Sequence, residues 1–190
     1  MNIKYYSYLE AIIKKKLLTS FNYLKFGKNI IVDPSARISP KAIIKVEYGG
    51  SITIANCAVD EFVIIKSYGG NIKIEENCSI GPFCVLYGHG GLYIGKHVGI
   101  AAHCVIIPSN HNFAEMNRDI LDQGETSRGI IIEDDVWIGS GVKILDGVCI
   151  RKGCVIGAGT VVTKSTEPYG VYVGVPSRKI HSRFEPNIKI

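Results

Sequence analysis

Hydrophobic side chains recur at every sixth position along most of the chain. From Ile132 onward the sequence divides into the hexads IEDDVW, IGSGVK, ILDGVC, IRKGCV, IGAGTV and VTKSTE, whose first residue is always Ile or Val. The fifth residue is always small or β-branched, and the second to fourth are rich in Gly, Asp and Lys. Since the fifth residue of one hexad and the first of the next are two apart, a strand points both to the same face. Each hexad therefore predicts a short strand and a corner, where Gly, Asn and Asp tolerate positive φ angles.

A longer period describes how the hexads stack. Glycine pairs at 49–50, 69–70 and 90–91 recur every 20 or 21 residues, and after Ile132 the spacing tightens to 18. Three hexads with their corners close one triangular coil, and stacked coils bury a continuous aliphatic core that no single coil could bury alone. The pattern predicts an all-β fold: a parallel β-helix of hexapeptide repeats with a short N-terminal helix and an inserted loop.

The 190 residues divide into an N-terminal segment 1–28, a β-helix domain 29–180 with a loop insertion 108–128, and a tail 181–190. Segment 1–28 carries six Lys and one Glu, a net charge of +5 that equals the whole-chain balance of 22 − 17. Its apolar residues lie at mostly helical spacing, which predicts a basic amphipathic helix. We favour packing of this helix on the coil, and the alternative is peripheral contact with an anionic membrane surface.

The rest of the chain is electrically balanced and carries no basic stripe, which argues against nucleic acid as a partner. No secretory signal is recognisable, and no apolar stretch reaches the roughly 18 residues that a membrane span needs. We therefore expect a cytoplasmic protein, peripheral at the inner face of the membrane in the alternative case. The six cysteines are expected to be core residues rather than disulfides, metal ligands or nucleophiles. Four hold fifth positions and two lie one residue off: Cys78, Cys84, Cys104 and Cys154, then Cys57 and Cys149.

The six-residue repeat stops at Pro108 and resumes at Gly129. A loop of this length inside a compact repeat is uncommon and is usually functional. His111 stands near its start, and histidine, with an ordinary pKa of ~6.5, is the natural general base at neutral pH. We predict that His111 is catalytic, against the alternative of a merely solvated side chain. Three carboxylates are open candidates to orient it: Glu115, Asp122 and Glu125.

Three other histidines are weighed against His111. His97 and His103 are the fourth residues of the hexads IGKHVG and IAAHCV, so both are expected to be corner residues on different faces of the coil. His89 lies in the turn YGHGG and is a weaker candidate to line an acceptor site.

Three strings give the chain a family resemblance. VWIGSGVKILDGVCIRKGCVIGAGTVVTKS, the downstream VYVGVPSRKI and the His-bearing loop resemble the hexapeptide-repeat acetyltransferases, above all the maltose, galactoside and polysaccharide O-acetyltransferases. The resemblance runs from about Val32 to Ile180. It implies a left-handed parallel β-helix, acetyl transfer from acetyl-CoA to a hydroxyl or amine without a metal, and a homotrimer with active sites between subunits.

The resemblance also implies roles for individual residues. Gly139, Ser140 and Ala158 would meet the pantetheine arm, and an N–H of Gly139 or Ser140 would stabilise the oxyanion. The remaining cofactor contacts would be Trp137 beside the site, Thr163 and Lys164 near the far end of CoA, and Arg178 at its phosphates. His181 stands where some relatives carry a second basic residue. For each position the alternative is ordinary: small corner residues, a packed Trp, surface Lys and Arg.

These observations predict an acetyl-CoA-dependent O-acetyltransferase acting on a sugar hydroxyl, as part of a cell-surface polysaccharide or its precursor. Acetyl would pass directly from acetyl-CoA to the acceptor, and His111 would act as the general base. The alternatives on the same fold are an N-acetyltransferase of an amino sugar and a xenobiotic acetyltransferase. Outside the transferases, a zinc carbonic anhydrase-like protein, which needs three convergent His ligands, or an inactive binding scaffold remain open.

Overall fold

A computed structural model describes residues 27–184 of the chain. The predicted N-terminal helix therefore lies, apart from residues 27 and 28, outside the described residues, as does the tail from residue 185. Within the described part, no helix is long and apolar enough to cross a membrane.

The described chain makes six coils of three short strands each. The first three coils hold β1 Ile30–Val32, β2 Arg37–Ile38, β3 Ile43–Lys45, β4 Ser51–Ile54, β5 Ala58–Val59, β6 Ile64–Lys66, β7 Asn71–Ile74, β8 Ser79–Ile80 and β9 Val85–Tyr87. The fourth holds β10 Leu92–Ile94, β11 Gly99–Ile100 and β12 Val105–Ile106. An insertion follows with β13 Asn110–His111, a 3-10 helix Ile120–Asp122 and β14 Glu125–Thr126. The last two coils hold β15 Ile130–Ile132, β16 Trp137–Ile138, β17 Lys143–Ile144, β18 Cys149–Ile150, β19 Val155–Ile156 and β20 Val161–Val162, before β21 Gly170–Val173 and β22 Arg178–Ser182.

Equivalent strands of successive coils form three parallel sheets. Sheet A contains the first strand of every coil, sheet B the second and sheet C the third, and β21 and β22 extend sheet B. The corners between them are named AB, BC and CA. The register confirms the predicted spacing: Ile52 pairs with Ile72, 20 residues on, whereas Ile132 pairs with Ile150, 18 residues on. The fold is the predicted left-handed parallel β-helix.

The fourth residue of most hexads makes the corner, and its φ there is positive whether it is glycine, as at Gly141 (73°), or a larger residue, as at Asp135 (59°). Ser165, the fourth residue of VTKSTE, is an exception without a positive φ. His97 and His103 have φ values of 57° and 62°, so both are corner residues as predicted. The left-handed conformation turns the chain from one sheet into the next within a few residues. A six-residue unit therefore suffices for a strand and a corner.

The first and fifth residues of the hexads point inward and form the core. Ile54, Ile74, Ile94, Ile132 and Ile150 stack in register along sheet A, each at most 1% exposed. The fifth positions are buried as well, including the polar Thr160 and Thr166.

Five of the six cysteines belong to this core, and all six are free thiols. Cys149 departs from the prediction: it is only half-buried, because it pairs with the outward-facing Ile131 on the outer face of sheet A. A hydrogen bond with Cys104 and burial raise the pKa of the Cys84 thiol, and a bond with Cys57 and burial do the same for Cys78. Both thiols are therefore held in their neutral form, which suits core packing and not nucleophilic chemistry.

The insertion differs from the loop with little strand pattern that the sequence predicted. It is a hairpin in which Asn110 pairs with Thr126 and His111 with Glu125, antiparallel. At its C-terminal end, the coil resumes in register, with Leu92 opposite Ile130. Strand β22 is a second difference, because it continues to Ser182 and so includes His181, which the sequence analysis had assigned to the tail.

Candidate active site

His111 faces a carboxylate across the hairpin. Its Nε2 lies 3.5 Å from Oε1 of Glu125, and the two side chains are 50% and 43% exposed. Of the three carboxylates that could orient the imidazole, Glu125 is therefore the one in position. Glu115 instead lies beside Arg118, at 3.7 Å, and Asp122 belongs to the 3-10 helix.

The hairpin is held by its own polar groups. The side-chain amide of Gln123 donates to the carbonyls of Glu115 and Arg118, both at 2.8 Å, and its Oε1 accepts the Glu115 N–H at 2.9 Å. A cavity of about 750 Å³ lies beside His111 and is lined by hairpin residues between Asn110 and Thr126. No residue of sheet A, B or C lines it, so the histidine faces open space rather than its own coil.

A buried carboxylate fixes the point where the hairpin rejoins the coil. Oδ1 of Asp146, whose side chain is fully buried, accepts the N–H groups of Arg128 at 2.7 Å and Gly129 at 3.0 Å. Nε of Arg128 lies 3.6 Å from the other carboxylate oxygen. The returning strand β15 therefore starts from a fixed position.

Three of the predicted cofactor residues meet at corner BC. A Cβ built on Gly139 would lie 2.6 Å from N of Ala158, so only glycine fits between these two coils. The Gly159 N–H donates to the Ser140 carbonyl at 2.8 Å, and Oγ of Ser140 donates to the Ala102 carbonyl. The corner thus presents a narrow, smooth surface of small residues.

The same corner distinguishes the two candidate oxyanion donors. The Gly139 N–H is already engaged, because it donates to the Ile156 carbonyl at 2.7 Å. The Ser140 N–H makes no backbone hydrogen bond to any described residue. Ser140 is therefore the donor that the fold leaves available.

The other predicted cofactor residues are exposed. Trp137 begins β16 and is 54% exposed, with its ring beside Gly99 of the neighbouring coil. Thr163 and Lys164 follow β20 at corner CA, while Arg178 begins β22 opposite Val173 in sheet B. Among the described residues, no hydrogen bond joins Thr163, Lys164 or Arg178 to the small residues of corner BC.

His111 and the small-residue corner lie at opposite ends of the strands of sheet C. Corner BC precedes the N-terminal ends of these strands, and the hairpin leaves from the C-terminal end of β12. One chain therefore presents two separate halves of the predicted site. In the part of the chain that the structure describes, no group of three or more His, Cys, Asp or Glu side chains could hold a metal ion.

Sequence reasoning did not find an aromatic column on corner BC. The rings of Phe62 and Phe83 stack at 5.1 Å, and those of Phe83 and His103 stack at 5.1 Å with planes 4° apart. All three are fourth residues of hexads, so their common position was a signal available in the sequence.

Comparison with known proteins agrees with this architecture. Residues 129–164 match the family described as bacterial transferase hexapeptide (six repeats). The galactoside O-acetyltransferase of Escherichia coli (strain K12) is 36% identical over 129 residues, which cover 67% of this chain and 62% of that protein. The dTDP-4-amino-4,6-dideoxy-D-glucose acyltransferase of Escherichia coli is 28% identical over 184 residues, which cover 93% and 89%.

A solved structure extends the similarity to three dimensions. A variant of AntD, an N-acyltransferase from Bacillus cereus in complex with dTDP-4-amino-4,6-dideoxyglucose and coenzyme A, superposes with a TM-score of 0.73. It is 26% identical, with 87% of this chain and 88% of that one covered. The chain spans about half the length of the first curated relatives it matches: 40%, 51% and 54%. The resemblance to the hexapeptide-repeat acetyltransferases is thus confirmed in repeat, in coil geometry and in relatives.

Proposed function

We propose that the protein is an acetyltransferase that moves acetyl from acetyl-CoA to a hydroxyl of a sugar. The observation that carries the proposal is the His111–Glu125 pair in an open hairpin. A histidine beside a cavity, with a carboxylate 3.5 Å from its ring, suits general-base catalysis of direct acyl transfer. The relatives that act on a galactoside and on an amino sugar support the same reaction class.

The chemistry follows from this pair. With Nε2–H directed at the Glu125 carboxylate, Nδ1 of His111 takes the proton of the acceptor hydroxyl as its oxygen attacks the thioester carbonyl. The Ser140 N–H stabilises the oxyanion that develops on the carbonyl oxygen. The C–S bond then breaks, and the imidazolium returns its proton to the CoA thiolate. No covalent enzyme intermediate is formed.

The fold has a surface suited to the donor. Gly139, Ser140 and Ala158 leave a smooth corner along which a narrow pantetheine arm can lie, with Trp137 at its side. Thr163, Lys164 and Arg178 are the exposed donors and cations for the far end of CoA. Because acetyl-CoA is the donor, the proposal places the reaction in the cytoplasm.

A homotrimer would complete the site. Each chain carries the base at the C-terminal end of the strands of sheet C and the donor corner at their N-terminal end. A second copy is therefore needed to bring a base and a donor corner together. The outward column of sheet C is apolar in its first four coils, which is typical of a surface that another protein covers. This column consists of Ile43, Ile64, Val85 and Val105.

A second acceptor class is favoured by a specific observation. One relative, which covers 93% of this chain and 89% of its own length, acts on an amino sugar linked to dTDP, and AntD was solved with the same compound. The nucleophile would then be an amine, and the product an amide. The precursor of a cell-surface polysaccharide can contain either acceptor, a sugar hydroxyl or the amine of an amino sugar.

Acetyl-CoA itself provides the first test. We expect it to raise the melting temperature of the wild-type protein and to be hydrolysed slowly without acceptor. His111→Ala should lower the rate of acetyl transfer by about 10²–10⁴-fold, because proton transfer is lost, and should keep the stabilisation by acetyl-CoA. Glu125→Gln should lower the rate less.

The same experiment separates the alternatives. An inactive scaffold would show neither stabilisation nor hydrolysis. Unchanged acetyl transfer by His111→Ala would remove the base from the mechanism. A panel of methyl pyranosides and dTDP-linked amino sugars, read by mass spectrometry, distinguishes an ester product from an amide.

A further inference from the structure

The aromatic column on corner BC ends where the next corner position, Gly141, carries no side chain. We call this position over His103 the open step. Phe62, Phe83 and His103 occupy the corner position of three successive coils, and the next two coils have Gly141 and Gly159 there. Backbone hydrogen bonds join the five residues into one line: the N–H of His103 donates to Pro82 and that of Gly141 to Ala102, each to the third residue of the hexad before. Above His103 the column therefore continues without a side chain.

The three rings are costly to place where they are. Their φ values are 60°, 60° and 62°, a conformation that costs about 1 kcal/mol or more for a residue with a Cβ. Glycine holds the same corner later in this chain without that cost. Phe62 and Phe83 are nevertheless 45% and 49% exposed, so core packing does not offset the strain. Strain combined with exposure of large rings indicates a binding surface.

The open step is continuous with the proposed donor corner. Gly141 directly follows Ser140, whose side chain bonds to the carbonyl of Ala102 next to His103. A Cβ built on Gly141 would meet only backbone of Gly159, at 3.9 Å, so no described side chain packs against the corner position that follows His103 in the column. A ring placed there lies beside the N–H that is proposed to stabilise the oxyanion.

The surroundings select the chemistry of that ring. Aromatic faces attract the weakly positive C–H groups of an apolar ring face. Two polar groups that can bond hydroxyls lie beside the position over His103: the Ser140 N–H, which makes no backbone hydrogen bond to a described residue, and Nζ of Lys143, which donates to the Gly141 carbonyl at 3.1 Å. A ligand with one apolar face and a polar rim fits both features, and a pyranose has this form.

We propose that the acceptor's pyranose ring stacks on the open face of His103, as the fourth ring of the column and over Gly141. This assignment rests on the proposed transferase function and names the subsite that holds its acceptor. His103 contributes a ring face here, whereas His111 contributes the base.

Three variants test the stacking. His103→Gly removes the ring and relieves the left-handed backbone, while His103→Phe keeps a ring in the same place. His97→Gly is the matched control, since His97 has the same corner conformation (φ 57°) in the same coil but on corner AB. The probes are methyl β-D-galactopyranoside, methyl β-D-glucopyranoside and dTDP-glucose, observed by saturation-transfer difference NMR in the presence of CoA.

The expected result is transfer to pyranose protons with the wild-type protein, His103→Phe and His97→Gly, and at least tenfold weaker binding with His103→Gly. Stabilisation by acetyl-CoA should be equal in all four proteins, and its absence from the wild type would count against the transferase function itself. Three results overturn the stacking: no saturation of any pyranose by the wild type, equal binding by His103→Gly, or saturation of thymine alone in dTDP-glucose. A lower assembly mass of His103→Gly also overturns it, because the column would then be a subunit contact.

Discussion

At the scale of single residues, two buried threonines in equivalent hexad positions have opposite surroundings. Oγ1 of Thr166 accepts the N–H of Arg151 at 2.9 Å, whereas Oγ1 of Thr160 has no hydrogen-bond partner among the described residues. A buried hydroxyl without a partner costs about 1–3 kcal/mol, and a hydroxyl that satisfies a backbone donor stabilises by about 1 kcal/mol. The hydroxyl of Thr160 therefore lowers the stability of the fold, whereas that of Thr166 raises it.

The two threonines form a matched pair for mutation. We expect Thr160→Val to raise the free energy of unfolding by about 1 kcal/mol, because a methyl group replaces the unpaired hydroxyl at equal volume. Thr166→Val should lower it by about the same amount, since the Arg151 N–H loses its acceptor. Chemical denaturation of both variants measures the difference, and a destabilised Thr160→Val would show that its hydroxyl has a partner.

Residue periodicity predicted which side chains point inward and where the corners lie, because both depend on neighbours within six positions. It did not predict the stacked column, since the rules that assign Gly, Asn or Asp to positive φ do not anticipate Phe62 or Phe83 there. Nor could it select Glu125 over Glu115 and Asp122. That choice depends on the register of a hairpin that closes over 13 residues between His111 and Glu125.

At the scale of elements, one carboxylate fixes the point where the hairpin returns to the coil. Asp146 accepts both N–H groups at the return to β15, and no other described group accepts them. Asp146→Ala would remove two part-buried hydrogen bonds from N–H donors to a charged carboxylate, at a cost of about 1–3 kcal/mol. The fixed position of the hairpin, and with it that of His111, would be lost.

We therefore expect Asp146→Ala to speed trypsin cleavage at Arg118 and Arg128 and to lower the rate of acetyl transfer. Stabilisation by acetyl-CoA should persist, because corner BC is not touched. Asp146→Asn keeps the accepting Oδ1 and serves as the control with near wild-type cleavage. Equal cleavage of Asp146→Ala and the wild type would mean that the hairpin is held elsewhere.

At the scale of the whole molecule, our proposal divides the site between copies of the chain. Mixed assemblies of His111→Ala, which lacks the base, and Ala158→Phe, which blocks the donor corner, test this directly. Random mixing at equal amounts should restore about a quarter of wild-type activity if neighbouring subunits each supply one half. A site built within one chain would stay inactive in every mixture, and light scattering of each variant checks that the assembly is intact. The sequence alone could predict the trimer only through resemblance, because no local pattern specifies which faces meet.

The register across the insertion has a consequence for how such proteins diversify. Leu92 pairs with Ile130 and Val105 with Lys143, so the coils close as if the intervening residues were absent. The scaffold contributes its stability independently of the hairpin, and the hairpin can change length and sequence without disturbing the stack. A change confined to the hairpin can thus alter the surroundings of His111 while the three sheets and corner BC keep their structure.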